Sequence, residues 1–354
     1  LTKVRKRLPA GIWLAILVAS TLATAVAAIV GVKDVVGAVA TIGWRGLGAL
    51  ILTAPGPMVL LGGAWFLLAP PGNTSRLDVF VWARLVRDAA GELLPFSPLG
   101  GFFIGARASL LRGLPPRTAF STSIVDVTTE MLAQLGFTAL GLGLLVTRLG
   151  AGSARSGLVV GVVAGLALSA FGAAMFIILQ RRGGHLVERI AERVIPGAAA
   201  AAGDLGAAIT AIYARPARVV LASITHFAAW TASGLSVWLA LRVAGVSISP
   251  ASVLAIESLV AAARSAVVVA PMGLGVQEAT YALVGPLFGL GPETALALSI
   301  IKRARDLVVG APALMGWQAM EGMRVMGRRW APAPASPLRP AASLRPEAQA
   351  PAKG

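Results

Sequence analysis

Four stretches of the chain, residues 8–32, 46–75, 156–180 and 219–241, contain no Asp, Glu, Lys or Arg. Crossing the hydrocarbon of a bilayer takes about 20 consecutive apolar residues in a helix, and each stretch is at least that long. Such runs have no place on the surface of a water-soluble fold, and the composition agrees. Of 354 residues, 56% are hydrophobic and 13% charged, against about 25% charged in soluble domains. The sequence specifies an all-α polytopic membrane protein.

Two further apolar stretches carry charges at membrane depth. Thr118–Thr147 is interrupted by Asp126 and Glu130, and Thr294–Met323 by Lys302, Arg303, Arg305, Asp306 and Glu321. They bring the expected number of full spans to six. Stretches 77–116 and 250–292 are broken by Pro and Gly at short intervals and read as re-entrant hairpins; eight crossings is the alternative if the dips of the second half are true crossings. A cleaved leader at the start is disfavoured by the length of the run 8–32 and the lack of a polar domain after it.

Basic residues set the expected orientation. Lys3, Arg5, Lys6 and Arg7, the loop with Arg181, Arg182, Arg189 and Arg193, and the tail with Arg324, Arg328, Arg329, Arg339 and Arg345 all fit the cytoplasmic side. An even number of spans follows. Residues 1–330 read as one transmembrane domain and the Pro/Ala-rich segment 331–354 as a disordered cytoplasmic tail. Segment 183–215 reads as a solvated or interfacial helical loop. The net charge of +16 is then a matter of topology and anionic headgroups, with no call for nucleic acid.

The chain also resembles itself. Gly113-Leu-Pro-Pro-Arg-Thr-Ala119 and Gly289-Leu-Gly-Pro-Glu-Thr-Ala295 match at five of seven positions, 176 residues apart, and at that offset Pro95 meets Pro271 and Ile124 meets Ile300. Each half, about 8–150 and 155–325, then holds two spans, a broken hairpin and one more span. Three crossings per half make the halves inverted, and paired broken segments in an inverted repeat are the best sequence pointer to a transport site. The first hairpin is expected to enter from the cytoplasm and the second from the opposite side.

Ionisable side chains at membrane depth are costly and face a bundle interior or a polar cavity. Asp126, Glu130 and Gln134 recur every four residues, hence on one helix face; at the repeat offset stand Lys302 and Asp306, beside Arg303 and Arg305. Neutralisation between the third and sixth spans is the expected arrangement. It serves either as a static lock or as part of a polar path, including a proton- or ion-coupled one through Asp126 or Glu130. On the hairpins, Arg84, Arg87, Asp88 and Glu92 read as the wet face of an interfacial helix, whereas Glu257 and Arg264 share one face of an apolar segment. Gly273, Gly275, Gln277 and Glu278 mark a Gly-rich break and a helix start whose backbone N–H groups suit a lipid phosphate. His226, beside Trp230, reads as a helix–helix hydrogen bond, and the eight Trp as an interfacial belt.

Chemistry is narrowly bounded. With no Cys and only His185 and His226, no thiolate nucleophile and no His-based metal site is expected. Paired carboxylates alone are a thin basis for acid/base catalysis, so neither an enzyme nor a cofactor is expected.

Several motifs in order resemble the lysylphosphatidylglycerol synthase transmembrane-region (flippase-like) superfamily. In the first half these are Arg87-Asp-Ala-Ala-Gly-Glu-Leu-Leu-Pro95, Gly100-Gly101, Gly105-Ala-Arg107 and Val125-Asp-Val-Thr-Thr-Glu130. Ile256-Glu-Ser-Leu259, Gly273-Leu-Gly-Val-Gln-Glu-Ala279 and Leu298-Ser-Ile-Ile-Lys-Arg-Ala-Arg-Asp306 resemble its hopanoid-biosynthesis-associated branch. Where that branch has Pro-Gly, this chain has Pro271-Met-Gly273. The resemblance implies a bacterial inner-membrane protein that translocates lipid, with a hopanoid or anionic phospholipid as partner, or an accessory protein of a lipid-biosynthesis complex. It does not imply a transferase, an activity that resides in a separate soluble domain of some members.

Overall fold

The computed structural model describes residues 32–70, 76–94, 97–148, 160, 167, 170–178, 180, 199–266 and 275–330. Among them are ten α-helices and no strand: α1 Val32–Thr53, α2 Pro55–Leu67, α3 Leu77–Leu93, α4 Ser97–Leu111, α5 Pro116–Arg148, α6 Ala199–Tyr213, α7 Pro216–Val243, α8 Pro250–Ala266, α9 Val276–Val284 and α10 Pro292–Trp330. Three are long and apolar enough to cross a membrane: Ala40–Leu67 (α1 and α2 together), α5 and α7. The fourth long helix, α10, spans 39 residues, about 58 Å at 1.5 Å per residue; its cations at 302–305 set it apart in composition only. The chain is a polytopic all-α membrane protein.

Several helix starts follow from their prolines. Pro55, Pro116, Pro216, Pro250 and Pro292 each sit at a first helical position, where the missing N–H has no intrahelical partner to lose. The second span begins earlier than the charge pattern indicates, because Arg45 is exposed on α1 and does not end that helix. Residues 8–31 of the expected first span, 13 of the 25 residues of the span 156–180, the tail 331–354, and Pro95, Pro271 and Gly273 lie outside the described residues. Of segment 183–215, Ala199–Tyr213 is helical as expected, but it is no solvated loop. Ile209 and Ile212 are buried in a cluster with Leu68, Val125 and Ala222.

The 176-residue offset is visible in the backbone. The end of α2 at Leu67 maps onto the end of α7 at Val243, and Pro116 onto Pro292, without any shift. The turn before each long helix has the same hydrogen bonds. Gly113 N–H donates to Leu110 (3.1 Å) and Leu114 N–H to Ser109 (3.1 Å); Gly289 N–H donates to Pro286 (3.2 Å) and Leu290 N–H to Gly285 (3.0 Å). This is the Schellman pattern, which needs a left-handed residue at its pivot, and the two glycines have φ of 91° and 87°. The repeated GL-x-P-x-T-A string is therefore one turn built twice.

The halves run in opposite directions. Arg218 at the start of α7 donates to the Ala69 carbonyl just past α2 (3.0 Å), and Arg112 just past α4 pairs with Asp78 at the start of α3 (3.0 Å). One end of the assembly thus gathers the end of α2, the mouth of the α3–α4 hairpin and the starts of α5 and α7. Arg107 near the end of α4 binds Glu321 (2.5 Å), which brings the last part of α10 to that end as well. At the other end, Arg148 closing α5 donates to Ser252 at the start of α8 (3.3 Å). The second hairpin, α8 with α9 and the 3-10 turn Gly285–Phe288, opens there. Packing is exchanged accordingly: α3 packs on α10 and α8 on α5, while α7 packs on α1, α2 and α5.

Glycines let the arms of the first hairpin approach. A Cβ at Gly101 would stand 2.6 Å from the Arg87 carbonyl oxygen, and one at Gly105 2.6 Å from Arg87 Cβ; Gly100 lies beside them, half-buried. At Gly63 nothing lies within 4 Å. Gly101→Ala is expected to destabilise by about 1–3 kcal/mol through forced backbone separation. Gly63→Ala is expected to be neutral or to stabilise by up to about 1 kcal/mol through helix propensity. Thermal unfolding of the two variants in detergent checks the contrast.

Candidate functional site

The first-half charges converge on one point. On α3, Arg84, Arg87 and Asp88 fall on one helical side; on α5, Asp126 and Glu130 stand one turn apart. Arg84 reaches Glu130 (2.5 Å), Asp126 (3.4 Å) and its own Asp88 (2.9 Å). Arg87 reaches Asp126 (2.6 Å) and Glu130 (2.8 Å). From α7, His226 Nε2 lies 3.0 Å from Asp126 Oδ1. Asp126 and His226 are fully buried and Arg84 is 4% exposed. Burial of so many charges is tolerated only where each has a partner, and here every carboxylate has at least one guanidinium.

The second-half charges converge likewise. Lys302 Nζ on α10 donates to Glu257 on α8 (2.6 Å) and to the Tyr281 hydroxyl on α9 (2.8 Å), and Tyr281 donates to Glu257. Arg303 donates to Glu278 (2.6 Å), Ser299 to Glu278 (3.2 Å) and Gln277 to Ser299 (2.9 Å). Arg305 bonds its chain neighbour Asp306 (2.5 Å). Asp126 and Lys302, equivalent by the repeat, thus play the same part with opposite sign: each anchors the hairpin of its own half.

Two contacts join the clusters. Near the tips of the hairpins, Arg264 on α8 donates to Glu92 on α3 (2.5 Å). Gln134, one turn beyond Glu130 on α5, donates to the Ala261 carbonyl (3.1 Å) and to Ser265, both on α8. The result is a track of three separate polar groups: the network of His226, Asp126, Glu130 and Arg87, the ion pair of Glu92 with Arg264, and the network of Lys302 with Glu257 and Tyr281. The side chains of Glu92 and Arg264 stay 31% and 30% exposed in the middle of the assembly. Charged groups with open surface at that depth line a crevice rather than hydrocarbon.

Several expectations change. Asp126 and Glu130 do not neutralise Lys302–Asp306: each set is satisfied within its own half, because a hairpin of opposite sign lies nearer than the other long helix. Arg84, Arg87, Asp88 and Glu92 are not the wet face of an interfacial helix; they point inward, and Arg84 binds three carboxylates. Glu257 and Arg264 share a helix but serve different partners. Gly275 N–H, a suggested phosphate donor, is taken by Glu278 Oε2 at 2.8 Å, so the start of α9 carries its own anion. Trp65 is no belt residue, since it is fully buried and donates to Thr122 (3.0 Å). His226 does make the expected inter-helix hydrogen bond. Arg107 pairs with Glu321 outside the track.

Sequence reasoning missed Arg84 and Tyr281. The i, i+4 spacing of Arg84 to Asp88 suits a solvated helix equally well, and only the acids on α5 distinguish the two. Tyr281, one of two Tyr in the chain, lies on the same face of α9 as Gln277 and Glu278, which was the available signal. Among the described residues no group of three or more His, Cys, Asp or Glu could hold a metal ion.

Arg84→Met leaves Glu130 and Asp126 short of a buried partner and is expected to cost about 3–5 kcal/mol. Arg112→Gln, which removes a pair 35% and 42% exposed, is expected to cost under about 1 kcal/mol. Thermal stability in detergent, read on both variants, measures the difference.

No curated protein and no solved structure matched the chain. A family model described as Lysylphosphatidylglycerol synthase TM region matches residues 12–313, taking in both hairpins, α5 and the part of α10 that carries Lys302–Asp306. The chain belongs to the lysylphosphatidylglycerol synthase TM-region family and is a membrane protein of lipid-related character.

Proposed function

We infer that the chain translocates a lipid between leaflets of the bacterial inner membrane, without catalysing a covalent reaction. The observation that carries this reading is the Glu92–Arg264 contact. Two hairpins that enter from opposite ends of the assembly meet there through partly exposed charges, so a polar crevice at that point has one hairpin on each side. A polar hopanoid or an anionic phospholipid suits a track that offers both guanidinium and carboxylate groups. The end that holds Arg76, Arg107, Arg112, Arg117, Arg215 and Arg218 is the cytoplasmic one by the positive-inside tendency, which admits the first hairpin from the cytoplasm.

The competing reading is an accessory protein of a lipid-biosynthesis complex whose ion pairs act as a fixed lock. The full pairing of the buried charges favours it. The two separate on the tip pair. In liposomes with a labelled lipid, the wild-type chain is expected to speed leaflet exchange, and Glu92→Gln or Arg264→Gln to slow it about tenfold, equivalent to about 1.4 kcal/mol of barrier. Normal rates in both single variants would remove the tip pair from the mechanism. Under the lock reading, the exchanged pair Glu92→Arg with Arg264→Glu restores full function; under translocation it stays impaired, because the hairpins then present the wrong charge to the headgroup.

A further inference from the structure

The two clusters differ in their charge balance. In the second, Glu92, Glu257, Glu278 and Asp306 meet Arg264, Lys302, Arg303 and Arg305, and the sum is zero. In the first, Asp88, Asp126 and Glu130 meet only Arg84 and Arg87. Among the described residues the cluster carries one net negative charge; Asp126 has no exposed surface, while the side chains of Asp88 and Glu130 are 29% and 15% exposed. An uncompensated buried charge is one of the costliest features a fold can retain.

The group set against that excess is His226. An ionised carboxylate only accepts hydrogen bonds, so the 3.0 Å contact to Asp126 Oδ1 puts a proton on Nε2. The other ring nitrogen, Nδ1, is buried and has no hydrogen-bond partner among the described residues. A proton added there makes an imidazolium and brings the cluster to neutrality. Histidine is the side chain whose charge ordinarily changes between pH 5 and 8.

We propose that His226, held by Asp126, is a proton-binding site, and that its occupancy is coupled to the first hairpin. Asp126 is shared: Arg87 holds it at 2.6 Å, Arg84 at 3.4 Å and His226 at 3.0 Å. A positive charge on α7 competes with the two arginines of α3 for the same carboxylate, so proton binding loosens the hairpin from α5 and proton release tightens it. The groups facing His226 are Arg84, Arg87 and Asp88 from α3 and Asp126 and Glu130 from α5. On α8, which also packs on α7, Glu257 is held by Lys302 and Tyr281, and Arg264 by Glu92. The span of α2 contributes no titratable group. What the proton drives rests on the translocation reading; the binding itself does not.

The chain has two His, so His185→Gln leaves one imidazole for nitrogen NMR of the full protein in liposomes. The expected result is a passage of His226 from one ring proton to two as the pH is lowered. In Asp126→Asn the second proton is expected to bind less readily than in the wild type, the usual effect of losing an adjacent opposite charge. A single ring proton throughout, or an unchanged titration in Asp126→Asn, overturns the site. Coupling is read separately: an imposed pH gradient is expected to accelerate lipid exchange by the wild type and not by His226→Gln. Wild-type exchange indifferent to the gradient overturns the coupling. No wild-type exchange under any condition overturns the translocation reading instead, and the NMR result still decides the proton site.

Discussion

The rest of the architecture depends on one shared carboxylate. Asp126 lies on α5, the longest of the three apolar spans, fully buried, and cannot be kept ionised there without partners on neighbouring helices. It takes them from two directions, Arg84 and Arg87 on the hairpin and His226 on α7. A charge that demands three partners from two other helices fixes those helices in rotation and in depth, which apolar contacts between Ala, Gly and Leu do only loosely. The cost of placing it in the membrane is recovered as register.

The same demand explains how a hairpin too short to span is held in place. At 17 residues, α3 is about 25 Å long, less than the roughly 30 Å of hydrocarbon. It has two attachments of different kinds. Its small-residue side packs on α10, where a Cβ at Gly310 would come within 3.1 Å of Ala89 Cβ and one at Gly316 within 3.0 Å of the Trp82 ring. Its charged side reaches α5. Close backbone packing tolerates little sliding, whereas ion pairs exchange partners when a neighbouring charge changes. The hairpin therefore sits between a rigid contact in the other half and an adjustable one in its own.

Much of this was legible in the sequence, and the unread part has a common cause. Among the described residues the apolar runs placed α5 and α7 to within three residues at either end, and the offset that aligns Gly113 with Gly289 proved to be a repeated turn. Pairing of charges was not legible. Asp126 and Lys302 stand at equivalent depths with opposite signs, which suggests a pair as long as helix neighbours are unknown. Which helix lies nearest is set by side chains that carry no sign, such as Gly101 and Gly105, whose missing Cβ atoms admit one neighbour and exclude others. Arg84 was misread for the same reason, since a charged helix face looks alike whether water or a carboxylate faces it.

An inverted repeat built from one ancestral half would present identical charges on both sides of its axis, and like charges brought together at mid-membrane repel. Here the signs are exchanged: an acid on α5 anchors a basic hairpin, and a base on α10 anchors a hairpin with an acid at Glu257. At the tips, where the halves meet, the exchange makes the contact attractive, with Glu92 from one hairpin against Arg264 from the other. Position 88, the repeat equivalent of Arg264, is Asp, so the signs are exchanged at 88 and 264 as they are at 126 and 302, while Glu130 and Asp306 keep the same sign. The sign inversion thus satisfies two requirements together. Each half is electrically closed enough to survive in the membrane, and the two halves attract along the crevice between them. Several charges outside those positions have no charged counterpart: Arg84 and Arg87 map onto Val260 and Ala263, and Glu257 onto Val81. His226 is a further difference, since its equivalent, Leu50, is buried and apolar, and it stands at the cluster whose permanent charges do not cancel.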